Sequence, residues 1–85
     1  MKSSELLDIL KKYLGFERRA QLAKYDSIKQ VLKKLKKKEN ALKDKLKKEL
    51  TEKAHNRLQK EMDVLSAQRK KGLKMLKELK KVRKQ

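Results

Sequence analysis

Lysines set one helical turn apart are the residues in this chain whose type and spacing could do chemistry. Lys33/Lys37, Lys34/Lys38, Lys43/Lys47, Lys70/Lys74, Lys77/Lys81 and Lys80/Lys84 stand four positions apart. A helix would hold each pair side by side as like charges, at a cost of about 0.2–0.5 kcal/mol per pair. A polyanion would offset that cost by placing phosphates or carboxylates over the ammonium groups. The competing reading is a solvated helix face, the ordinary fate of a lysine run, and composition alone does not separate the two. Lys outnumbers Arg 23 to 5. An ammonium acts as a point charge, whereas bidentate reading of base edges is chiefly arginine work. Binding by such a surface is therefore expected to be phosphate-driven and indifferent to sequence. The candidate contacts are Lys33, Lys34, Lys37, Lys38 and Lys45 in one basic block, with Lys70, Lys71, Lys74, Lys77 and Lys81 in a second.

Other chemistry is poorly supplied. His55 is the only histidine and cysteine is absent, so His55 reads as an incidental surface residue beside a turn rather than as a base or a ligand. The carboxylates are dispersed among lysines, in spacings such as Asp8/Lys12, Glu39/Lys43, Asp44/Lys48 and Glu49/Lys53 that give ordinary helix-surface ion pairs. Neither a Gly-rich phosphate loop nor metal-ligand spacing occurs, and a core this small encloses no ligand pocket. The chain reads as non-enzymatic, with no cofactor and no metal. Its three aromatics, Tyr13, Phe16 and Tyr25, fall at expected core positions and offer no stacking platform for single strands.

Charge is the extreme property of the sequence, +17 in 85 residues. It points to a polyanionic partner or surface. Residues 1–28 carry 6 basic and 4 acidic groups, 29–48 carry 10 and 2, 49–68 carry 3 and 4, and 69–85 carry 9 and 1. The basic load is thus concentrated in two separate stretches. Nucleic acid or another polyanion is one expected partner. An acidic protein is the alternative, bound by a helical interaction module that also has the means to form a homodimer. An anionic membrane surface is disfavoured by the absence of Trp and by a narrow apolar stripe. No stretch approaches the roughly 20 apolar residues of a membrane span. Charges interrupt the apolar run Leu6–Leu10 too early for a signal peptide, and the lack of cysteine gives no sign of an oxidised setting. A cytoplasmic location is the default expectation.

The elements that would carry these lysines are helical. With no Pro, two Gly and three aromatics, a β-rich fold lacks its turn and strand residues. From Tyr25 onward apolar residues recur at steps of three and four: 25, 28, 32, 35, (39), 42, 46, 50, 54, 58, 62, 65, (69), (72), 76 and 79. Taken from its two ends, the stripe pairs 25 with 79, 28 with 76, 32 with 72, and so on to 50 with 54. An antiparallel hairpin folded near Glu52 would face apolar residues at almost every layer. One unbroken helix fits the same spacing, would run to about 100 Å, and would need a partner chain along its stripe. Capping signals favour the turn: Thr51 as N-cap ahead of Glu52, and Asn56 with Gln59 as a second, capping-box-like start.

The expectation is an all-α, coiled-coil-like three-helix arrangement in one small domain, 1–85. It comprises a short helix over 3–14 and a long antiparallel hairpin with arms over about 17–50 and about 52–83. The short helix has Ser3 or Ser4 as N-cap, and Leu6, Leu10 and Tyr13 on one face, widened by Leu7 and Leu14. Its expected stop is a Schellman motif with Gly15 left-handed and Phe16 making the closing contact. Ser27 and Gln30 spell a capping box, so the first arm has a candidate break at Asp26-Ser27. An isolated helix of a dozen residues is marginal in water. It is expected to lie on the open end of the hairpin, where Leu22, Val31, Leu73, Met75 and Val82 broaden the apolar face. Gly72 opposite Leu32 marks either close packing or a tolerated surface glycine. Glu39 and Arg69 either meet across the stripe and set its register or extend past it into solvent.

Overall fold

Leu6 and Leu10, one turn apart, are what the N-terminal helix buries. In the computed structural model, which describes residues 3–48 and 51–83, helix α1 runs Ser3–Leu14 and both leucines are fully enclosed. Helix α2 follows at Arg18–Ala23, α3 at Tyr25–Lys48 and α4 at Glu52–Arg83. Glu5 in the first turn of α1 and Lys11 and Lys12 in its last complement the helix dipole. Expectations resting on the Ser3 side chain, on the Leu50/Ala54 layer and on the Glu49/Lys53 and Lys80/Lys84 pairs fall outside the described residues and side chains.

Helices α3 and α4 pack along their length as the two arms of an antiparallel hairpin. Opposing positions show the direction: Tyr25 meets Arg83, Leu32 meets Gly72 and Glu39 meets Arg69, so numbers rise along α3 as they fall along α4. The molecule measures 50 × 19 × 18 Å. The 32 residues of α4 account for that length at about 1.5 Å each, and a single 100 Å helix is excluded. Thr51 precedes α4 and its carbonyl accepts the His55 N–H at 3.0 Å, the position foreseen for an N-cap. The second start at Asn56 is not used, because α4 runs through it; Gln59 Nε2 instead donates to Asp63 Oδ1 at 2.9 Å.

The first arm is not continuous from residue 17. Lys24 interrupts it with φ −103° and ψ 14°, between the end of α2 and the start of α3. Its N–H still bonds Ala20 O and Gln21 O, and its carbonyl still accepts from Ile28 N at 2.9 Å, so the break is a one-residue kink with little loss of hydrogen bonding. The kink precedes the expected Asp26-Ser27 position. Ser27 and Gln30 both lie exposed inside α3, and their capping box is not used. The change of direction lets α2 lie on α4 while α3 stays on the seam.

Helix α1 stops at Leu14 as expected, but not by the expected means. No described glycine has positive φ. Gly15 does not adopt a positive φ; its N–H is shared between Lys11 O at 3.2 Å and Lys12 O at 3.1 Å, and Phe16 N–H bonds Tyr13 O. The open carbonyls are met from a distance. Gln21, buried, turns its Nε2 back to Tyr13 O at 3.0 Å and Leu14 O at 3.4 Å. Phe16, expected in the core, is exposed because α1 ends before it, and it packs edge-on against half-buried Tyr13, ring centroids 5.5 Å apart.

The core sits where three helices meet. Leu6 and Leu10 of α1, Ile28, Val31, Leu32, Leu35 and Leu42 of α3, and Leu65, Met75 and Leu79 of α4 are buried together. Leu46, Leu58 and Met62, on the apolar stripe expected to form the seam, are only half-buried. The reason is geometric: α1 covers one half of the hairpin, and two helices alone cannot close a seam on both sides. Of the residues expected to widen the face beneath α1, Val31 and Met75 are buried and Leu22 half-buried. Leu73 and Val82 remain exposed.

Candidate polyanion-binding surface

The ten candidate lysines lie on α3 and α4, and nine of them are exposed; Lys38 is half-buried. Burial of the leucine stripe dictates this, since the positions between the leucines must point outward. The structure does not gather the ten into one patch. Lys34, Lys37 and Lys38 line a groove with Leu6 and Ala41, beside the start of α1. Lys71 and Lys74 line another with Leu14, Arg18, Gln21 and Glu78, beside its end. Lys45 lies toward the hairpin tip with Lys48, Ala54, Arg57 and Leu58. Lys33 belongs to the opposite side, in a groove between α3 and α4 with Lys29, Lys36 and Arg69. Lys70, Lys77 and Lys81 are exposed along α4.

Antiparallel pairing also fixes how the two basic blocks overlap. Leu32 faces Gly72, so the start of the α3 block lies beside the start of the α4 block near mid-molecule. From there α3 continues basic to the tip and α4 continues basic to the open end. Among residues 29–48 two acids interrupt the lysines, and the fold removes one of them from the surface. Glu39 is buried, accepting from Arg69 Nε at 2.6 Å on Oε2, with Lys43 Nζ 3.9 Å from Oε1. That leaves Asp44 as the one exposed acid on this stretch of α3.

Two other cations, Arg18 and Arg83, also have local partners. Arg18 and Glu78 form an exposed ion pair at 3.3 Å joining α2 to α4. Arg83 lies over the Tyr25 ring, 4.3 Å from its centroid, a cation–π contact that also covers this aromatic. His55 is exposed in the first turn of α4. Among the described residues no group of three or more His, Cys, Asp or Glu could hold a metal ion, and no helix is long and apolar enough to cross a membrane. Lys29, Lys36, Lys43 and Lys47, exposed and outside the ten, were missed because block charge says nothing about which flank a lysine occupies. Their spacing of three, four and seven from Lys33 and from one another was the available signal.

Comparison with protein-family models, curated proteins and solved structures finds no match for this chain.

Proposed function

We propose that the protein is a non-enzymatic binder of polyanions, nucleic acid foremost, acting through the lysine faces of α3 and α4. The observation that carries this is the outer surface of α3. From Lys29 to Lys48 it presents ten lysines, nine of them exposed, against the single exposed acid Asp44, because Glu39 is turned inward. Lysines placed on phosphates release condensed counterions, which drives association and makes it strongly salt-dependent. Base reading is unsupported. The molecule is 19 Å by 18 Å across, too broad for a major groove of about 12 Å. The ammonium groups carry no directional fork. Contacts are then confined to the phosphate backbone, and sequence does not matter.

A second reading draws on a different observation. Toward the tip, where α1 does not reach, Leu46, Leu58 and Met62 are half-buried. That strip suits docking of an acidic protein or a second copy of the chain. A salt titration against duplex DNA and structured RNA, run beside a pull-down and a sedimentation measurement, separates the readings. Binding that persists near about 150 mM salt supports the polyanion role. Loss of binding above about 100 mM, together with a stoichiometric protein partner or a concentration-dependent dimer, transfers the case to the second reading.

A further inference from the structure

The lysines that share one flank of α3 are Lys29, Lys33, Lys36, Lys43 and Lys47, spaced four, three, seven and four apart. With Asn40 at the missing step they form a straight row about 27 Å long. The groove shared by Lys29, Lys33 and Lys36 is closed on its other side by Arg69, Leu73 and Leu76 of α4, and no acidic side chain lines it. Lys29 also borders a second groove with Lys80 of α4, and helical spacing puts Lys77 beside Lys80. This face therefore gathers basic groups from both arms. It is also the face opposite α1, since Leu10 packs at Gly72 and Leu6 beside Lys34 and Lys38 on the other flank.

The two faces differ in what a polyanion would meet. On the α1 side it meets exposed Glu5 and Asp8, then Glu78 beside Lys71 and Lys74, and α1 stands between it and the seam. On the open side Asp26 lines the Lys29 groove at one end and Asp44 lies one step further round α3, while the tip half of α4 carries exposed Glu52, Glu61 and Asp63. Resting on the polyanion reading, we infer that a nucleic-acid duplex lies along the open face, one phosphate strand following the Lys29–Lys47 row and Lys77 and Lys80 flanking it. A row of about 27 Å spans about 8 phosphates at roughly 3.4 Å of rise per strand. A duplex rather than a single strand is the occupant, because the one aromatic bordering this row, Tyr25 in the Lys29 groove, has Arg83 over its ring, and Tyr13 and Phe16 pack on each other.

The test compares two variants that remove equal charge from the full chain. One carries Lys29→Gln, Lys33→Gln, Lys36→Gln, Lys43→Gln and Lys47→Gln; the other carries Lys34→Gln, Lys38→Gln, Lys45→Gln, Lys71→Gln and Lys74→Gln. Circular dichroism and thermal melting establish that both keep the fold. Affinity for a duplex of about 20 base pairs, DNA in one arm and RNA of the same sequence in the other, is followed against salt. The first variant is expected to flatten the log–log salt dependence by about 3 to 4.5 units, at about 0.9 for each phosphate no longer neutralised, and the second by less than half as much. A row-specific loss in either arm supports the assignment and names the backbone. Equal losses in the two variants overturn the face while leaving polyanion binding intact. Absence of wild-type binding overturns both.

Discussion

Arg69 reaches across the hairpin seam and donates its Nε to Glu39 Oε2 at 2.6 Å, where the leucine stripe is interrupted on both arms. Each residue alone would leave a charge at a mostly dry position. Together they make a diagonal contact across one turn, since the register that sets Leu32 on Gly72 places Glu39 opposite Leu65 and Arg69 opposite Leu35.

Breaking the pair from the acidic side should show its worth. Glu39→Ala is expected to cost about 1.5–3 kcal/mol, the range for a hydrogen bond involving charged groups. The double variant Glu39→Leu with Arg69→Leu should recover most of that loss, as apolar replacements of buried ion pairs commonly do. Urea denaturation of the two singles and the double gives the coupling. A double variant no more stable than the sum of the singles would remove the pair as an interacting unit.

The two glycines should respond in opposite directions to alanine. A Cβ on Gly72 would stand 2.6 Å from Leu32 Cδ2 and 3.1 Å from Leu10 Cδ1. Overpacking of about 1–3 kcal/mol then outweighs the roughly 1 kcal/mol gained in helix propensity. At Gly15 the same Cβ meets only carbonyl oxygens at 3.6 and 3.8 Å, and φ is not positive. Gly15→Ala should be neutral or stabilising by up to about 1 kcal/mol. Melting curves of the two variants decide it.

Truncations along the seam should cost less toward the tip. Leu35→Ala and Leu42→Ala, at buried positions, are expected to lose about 2–5 kcal/mol. Leu46→Ala and Leu58→Ala, at half-buried ones, should lose about half as much. Equal losses at all four would mean that the tip is covered in solution, by a second copy or another partner.

Gln21 holds the end of α1 through its side-chain amide. Gln21→Ala should cost about 1 kcal/mol. The loss should appear as faster hydrogen exchange of α1 amides, while those at the centre of α4 keep their protection.

Much of this fold could be read in the chain because its period is strict. The hairpin and its facing layers, Gly72 opposite Leu32 among them, followed from leucines at steps of three and four, whereas Glu39 and Arg69 fell one turn apart in that reflection and the choice between a contact and solvent stayed open until the structure joined them. What escaped depended on distant groups. The stop of α1 looked like glycine chemistry, yet Gly15 takes no positive φ and an amide seven residues beyond Leu14 reaches back to the last carbonyls. The kink at Lys24 has neither Pro nor Gly to announce it. Lysine counts located the basic stretches but not their sides, because the two flanks of α3 become different only once α1 has lain down on one of them.

That placement has a mechanical consequence. Over Leu10, Leu32 and Gly72 the protein is a three-ply laminate; past Ala41 it is two-ply. Delamination should therefore begin in the thinner half, where separating the plies exposes the least apolar surface. The thicker half, where Leu10 presses Leu32 against Gly72, should act as the clamp that holds both arms in step until the whole chain gives way.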